Sequence, residues 1–291
     1  MSPQNYLTIC IAMEDCRYPM LLKGIPNPPK NLYIKGNANL AALHNCLGIV
    51  GSRRMTPYGA AVLEYLFNDL VCTDLAVVSG FTRGVDFTAH SLAVAHGVPT
   101  VAVLPCGIEE MYPYSSRNLY EEILCGGGSI VSEFVGNEPP REWMFVKRNR
   151  IVAGLCKAIL FVEAGEKSGS LITYNYAKSY SRRILAVPGD IFKDSTKGIC
   201  QILREGAKPV FSGCDINEEL GLSRSSNAFS TCNIDAESLQ ILNVLRRDPT
   251  NFNTLYRQVS IGFNQLNMCL TTLQLAGIIK EIKGTYYVVK G

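Results

Sequence analysis

The stretch LGIVGSRRMTPYGAAVLEYLFNDL, residues 47–70, decides the fold. It opens on Leu47-Gly48-Ile49-Val50, a short apolar run of the kind that makes a buried strand. Gly51 follows and lets the backbone turn at once. Thr56 then stands before Pro57, an N-cap followed by proline at the first helical position. Beyond them Val62, Leu63, Leu66, Phe67 and Leu70 recur three and four residues apart, the stripe of a helix that covers a sheet. Strand, glycine turn and helix in that order are the first unit of an α/β layer.

Working outward, the same unit repeats. Apolar, β-branched runs stand at 75–79, 100–104, 129–131, 158–162 and 184–187. Helical spacing fills 85–96, with Gly97 as its stop, and 170–179. Continuous apolar strands alternating with helices predict a mostly parallel sheet with helices on both faces, an extended Rossmann-like core over 41–220. Residues 1–40, rich in proline at Pro26, Pro28 and Pro29, read as an approach segment of that core, with one extra strand at 32–36. Residues 221–233, GLSRSSNAFSTCN, read as a linker. The remainder, 234–291, shows three short helical patterns around Leu242, Leu255 and Leu270 and a hairpin turning at Gly284, which predicts a small winged-helix domain that binds DNA or protein.

The composition agrees and narrows the class. With 47% hydrophobic and 18% charged residues the 291-residue chain is neither disordered, collagen-like nor a coiled coil. A net charge of +3 neither demands nor excludes a nucleic-acid partner, because electrostatic footprints are local. The eleven cysteines are scattered, with no CxxC pair and no cysteine–histidine cluster, which points to free thiols in a reducing cytoplasm. The apolar run at 6–13 lacks the flanks of a signal peptide, and no run is long enough for a membrane span.

On such sheets ligands gather at the carboxyl ends of the strands, so the residues there carry the functional information. Gly51-Ser52-Arg53 offers amides, a hydroxyl and a planar guanidinium to an anion, or is a tight turn with a surface arginine. Ser79-Gly80-Phe81-Thr82-Arg83-Gly84-Val85-Asp86 is a second glycine turn opening a helix. Its Asp86 reads as a helix-start acid or a brace for an arginine. Ser168-Gly169-Ser170 reads as an anion nest or as an ordinary serine cap. Phe145-Val146-Lys147-Arg148-Asn149-Arg150, close to Trp143, sets cations beside aromatics, as unpaired nucleic acid requires; otherwise it is a solvated basic face.

Several chemistries find no support. There is no G-x-x-x-x-G-K-[ST] loop and no G-x-G-x-x-G fingerprint. His44, His90 and His96 have no third ligand, and Glu133 and Glu163 have no partner nucleophile. No catalytic residues, metal or cofactor are assigned.

These motifs, in this order and spacing, resemble the DNA-processing protein family DprA, also called Smf. The likeness starts at Tyr18-Pro19 and the strand at 32–36. It passes through GSR at 51–53, SGxxRGVD at 79–86 and SEF at 132–134. It continues with FxxRNRIVAG at 145–154, SGSLIT at 168–173 and PGDIF at 188–192, and ends at Gly198 and Gly206-Ala207. The chain departs from the family's usual pattern with Phe145-Val146-Lys147 where Phe-Pro-Arg is common, and with Phe81-Thr82 where Leu-Ala or Tyr-Ala is usual.

The resemblance implies a homodimeric recombination mediator. Such a protein binds single-stranded DNA without catalysis, protects incoming DNA and loads the RecA recombinase during natural transformation. It implies Gly51, Ser52 and Arg53 for one phosphate, Arg83 and Gly84 for the pocket wall, and Phe145, Lys147, Arg148, Asn149 and Arg150 for bases and backbone. Ser168, Gly169, Ser170 and Thr173 would hold a further phosphate. Two other readings remain. One is a nucleotide-processing enzyme that cleaves base from nucleoside monophosphates, although its PGGxGT loop is not found and 165–170 is the nearest segment. The other is a winged-helix DNA-binding regulator.

Overall fold

A computed structural model describes residues 6–70, 74–222, 236–259, 261–275, 278–282 and 284–288. The chain divides into two compact units, Met1–Arg224 and Ser225–Gly291. Of the linker expected at 221–233, residues 223–233 lie outside the described residues.

The first unit is built on one sheet. In chain order its strands are β1 Ile9–Ala12, β2 Asn31–Gly36, β3 Cys46–Val50, β4 Ala76–Ser79, β5 Thr100–Val103, β6 Ser129–Ser132, β7 Ala158–Phe161, β8 Arg183–Ala186 and β9 Lys208–Pro209. They lie side by side as β1-β2-β6-β5-β4-β3-β7-β8-β9. From β6 to β9 every neighbouring pair is parallel. β2 joins β6 antiparallel, and β1 joins β2 antiparallel. The approach segment thus extends the sheet by the strand expected at 32–36 and by a second one at 9–12 that was not expected.

Helices cover both faces. They are α1 Met20–Lys23, α2 Pro57–Leu70, α3 Val85–Ala95, α4 Arg117–Cys125, α5 Glu142–Leu155, α6 Ser170–Ser179, α7 Lys197–Arg204 and α8 Gly213–Leu220. The alternation of strand side chains assigns the faces. Leu47 and Ile49 of β3 pack with Leu63, Phe67 and Ala89 from α2 and α3. Val50 from the same strand packs with Ile151, Val152 and Ala177 from α5 and α6. A fully buried side chain of this size stabilises by about 1.5–3 kcal/mol, and β3 carries several.

Chain direction across the sheet reverses between β3 and β7. The path steps one way from β3 through β4 and β5 to β6, then the other way from β7 through β8 to β9. The loops after β3 and β7 therefore part and leave a crevice at their carboxyl ends.

The second unit contains α9 Ala236–Arg247, β10 Thr250–Asn251, α10 Phe252–Gln258, α11 Phe263–Leu275, β11 Ile279–Ile282 and β12 Thr285–Val288. Its strands pair antiparallel in the order β10-β12-β11. Asn251 caps α10 by accepting the Thr254 amide at 2.9 Å. Ile241, Leu242, Leu245, Leu255, Leu266 and Leu270 close a separate core. Among the described residues no helix is long and apolar enough to cross a membrane.

Candidate nucleic-acid interface

The crevice at the switch point is a cleft of about 800 Å³. Three loops and one helix build it. After β3 come Gly51, Ser52, Arg53 and Arg54; after β4, Gly80 and Thr82; after β7, Ser168, Gly169 and Ser170 at the start of α6. α5 lays Phe145, Arg148, Asn149 and Val152 along the fourth side.

Gly84 sets the first loop. Its φ of +84° is open to glycine, and an added Cβ would stand 2.3 Å from the Ser52 carbonyl oxygen. With no side chain there, the amide of Val85 donates to that same carbonyl at 3.2 Å and ties the two loops together. The Ser52 hydroxyl accepts the Arg54 amide at 3.0 Å, which leaves the Arg53 side chain exposed at the rim. Its guanidinium carbon lies 5.0 Å from the centre of the Phe145 ring, and Tyr112 meets that ring edge-on. A cation and an aromatic face thus stand together at the mouth.

The floor is charged. Arg148 is buried and donates through Nη1 to the carbonyls of Gly80, just after β4, and Val103, the last residue of β5. Burial brings its guanidinium down to about 10, so it keeps its charge at neutral pH. Asp86 lies beneath, accepting the Thr82 hydroxyl at 2.6 Å, and burial raises its carboxyl while the Arg148 charge opposes the rise. Of its two sequence readings, the brace for an arginine describes its surroundings as well as the helix start does. His90, one turn further along α3, is fully buried against Thr100 at 2.7 Å. Burial first, and the Arg148 charge second, hold its imidazole down to about 3, so it is neutral.

On the β7 side the Ser168 and Ser170 hydroxyls are 2.7 Å apart, and Ser168 also accepts the Ser170 amide at 3.3 Å. Gly169 has an ordinary φ of −59°, and an added Cβ would meet nothing within 4 Å. Neither conformation nor packing calls for glycine there; its smoothness leaves room for something to approach the α6 amides. Glu163, weighed as a possible acid, is buried and accepts the Thr56 hydroxyl at 2.5 Å and the Thr56 amide at 2.9 Å. It caps α2.

Four residues grouped with the site by sequence stand elsewhere. Arg83 points from the rim toward Ser115, 3.4 Å away, and Gly84 supports the loop rather than walling the cleft. Lys147 and Arg150 leave the cleft because residues 145–150 are helical. At about 100° per residue, position 150 lies about 140° around α5 from position 145. Arg150 is instead buried against Glu133, with Nη2 to Oε1 at 2.5 Å, and Lys147 reaches the other carboxylate oxygen at 3.3 Å. Conversely, Tyr112 lines the cleft without having been singled out, since an isolated loop residue carries no periodic signal. Among the described residues no group of three or more metal-ligating side chains is placed to hold an ion.

Comparison with known proteins gives a consistent answer. The family model described as DNA recombination-mediator protein A matches residues 9–221. The chain is 34% identical to DNA processing protein DprA of Bacillus subtilis over 210 residues, 72% of this chain and 70% of that one. It is 36% identical to DprA of Streptococcus pneumoniae over 207 residues, 71% and 72% of the two chains. The solved structure of S. pneumoniae DprA superposes with a TM-score of 0.68 at 34% identity, covering 75% of each chain. DNA processing protein A of Helicobacter pylori, whose structure is described as showing a single-stranded DNA binding mode, gives a TM-score of 0.66 at 27% identity, covering 74% and 96%.

Proposed function

Because the chain belongs to the family of DNA recombination-mediator protein A, the DprA or Smf proteins, we propose that it binds single-stranded DNA in the cleft at the switch point. The observation that carries this reading is the pairing of Arg53 with Phe145 across a cleft whose other side is the open α6 N-terminus. Arg53 takes a phosphate and the Phe145 ring takes a base face. The Ser168, Gly169 and Ser170 loop offers amides and hydroxyls to the next phosphate, and Thr173 stands behind it. Asn149, held by its acceptor contact with Arg148 Nε at 3.2 Å, turns an amide toward a base edge.

The strand is bound and not cut. Of the carboxylates in or near the cleft, Glu163 is held by Thr56 and Asp86 by Thr82 beside the Arg148 charge, while Glu142 lines the cleft from the first turn of α5 and is exposed to solvent. The chain protects incoming DNA, acts as a homodimer and hands the strand to the RecA recombinase in natural transformation. Its second unit is a winged helix.

Fluorescence anisotropy of a labelled oligo-dT tests the first step. The expected result is tight binding whose logarithm falls linearly with that of salt concentration, by about 0.7 per neutralised phosphate. Binding that is absent, or indifferent to salt, overturns the reading. Nucleation of RecA filaments on coated DNA, with and without the protein, tests the second.

A further inference from the structure

α5 separates the cleft from a second groove of about 590 Å³, and the exposed Val146 side chain is the ridge between them. Trp143, Lys147 and Arg150 come to this groove from the back of α5, and Tyr176 and Tyr180 from α6.

The groove combines aromatic faces with positive charge. The two tyrosine rings stack at 5.8 Å, and Trp143, about half exposed, meets Phe134 edge-on. The Lys147 ammonium sits 5.2 Å from the Phe134 ring centre and 5.9 Å from that of Trp143. One carboxylate, Glu133, serves both Lys147 and Arg150, so two positive charges share one negative charge. The Arg150 side chain is 9% exposed, and among the described residues its Nη1 has no hydrogen-bond partner. The Arg150–Glu133 pair is buried, and the half-exposed Lys147 brings the surplus positive charge to the groove surface.

We propose that this groove is a second subsite for the same single strand: after crossing Val146 the strand sets a base on Trp143 and a phosphate by Lys147. The field of Arg150 adds attraction from below. The proposal rests on the cleft reading and extends the bound length of strand.

Trp143 is the only tryptophan in the chain, so its fluorescence reports on the groove alone. Labelled oligo-dT of about 4 and about 16 nucleotides, spanning the usual range for such sites, would be titrated into the full chain. Anisotropy reads total binding and tryptophan quenching reads the groove. The long oligomer is expected to quench and the short one to bind without quenching. Trp143→Ala and Lys147→Ala are each expected to weaken the long oligomer about tenfold, one stacked base or one phosphate contact, and to leave the short one unchanged.

Long-oligomer binding that stays sensitive to Arg53→Ala but neither quenches Trp143 nor responds to either groove substitution overturns the second subsite and leaves the cleft reading intact. Equal quenching by both lengths overturns it too, since groove and cleft would then be one site. No binding at either length removes the cleft reading and this proposal with it.

Discussion

The guanidinium of Arg148 occupies the space that a side chain at position 80 would need: a Cβ added to Gly80 would stand 2.6 Å from Arg148 Nη2. The glycine turn after β4 and the basic run of α5, 68 residues apart, are therefore two halves of one contact. Arg148 ties the carboxyl ends of β4 and β5 together and sets the depth of the cleft.

Arg148→Met should destabilise the chain by about 3–5 kcal/mol, because it strips Asp86 of its nearby positive charge and removes the side-chain donor from two strand-end carbonyls. Gly80→Ala should cost about 1–3 kcal/mol by overpacking. Urea denaturation followed by circular dichroism measures both. A change below about 0.5 kcal/mol in either would show that the floor relaxes freely.

Arg53→Ala should weaken oligo-dT binding of every sequence and reduce the salt slope by about 0.7, one phosphate contact. Its side chain is exposed, so stability should not change. Anisotropy titrations at several salt concentrations separate this from Phe145→Ala. The latter should cost about 1–3 kcal/mol of binding while leaving the slope in place, since a lost stacking face releases no counterions.

Glu163→Gln should lower stability by about 1–2 kcal/mol through the weakened cap of α2 and the lost charge at its N-terminus. Incubation of either protein with nucleoside monophosphates should release no free base, as chromatography would show. Turnover by the unsubstituted chain that disappears in Glu163→Gln would restore the enzyme reading.

Stability should fall as pH drops below about 6.5, and His90 is a named contributor. Its imidazole binds a proton near 6.5 when unfolded but only near 3 when folded, so between those values the unfolded chain holds more protons. The loss is at most about 1.4 kcal/mol per pH unit. Asp86 acts the other way: its raised carboxyl favours the folded state at low pH, and that benefit disappears as pH rises through its folded value. Urea midpoints measured across this range should fall less steeply in His90→Gln than in the unsubstituted chain.

The strands at 47–50, 100–103 and 158–161 and the helix after Thr56 were legible because each is written in consecutive residues: an apolar run, a glycine, a cap, a stripe. The three loops at 51–53, 79–84 and 168–170 were legible for the same reason, and chain order alone puts them at strand ends. The meaning of residues 145–150 was not. Read as a line, Lys147, Arg148 and Arg150 are one basic run; wound at 3.6 residues per turn they point two ways. Arg148 goes under the cleft, and Lys147 and Arg150 go to the groove behind. The duty of Glu163 was hidden likewise, because its partner Thr56 is 107 residues away.

By itself, the sequence determined that a parallel sheet would carry glycine and serine loops along one edge, since turn and cap chemistry act over a few neighbouring residues. Only the tertiary structure decided which cations face that edge. Burial and pairing of a charge depend on whatever the fold brings against it, and for Arg148, Arg150 and Glu163 those partners come from distant strands and loops.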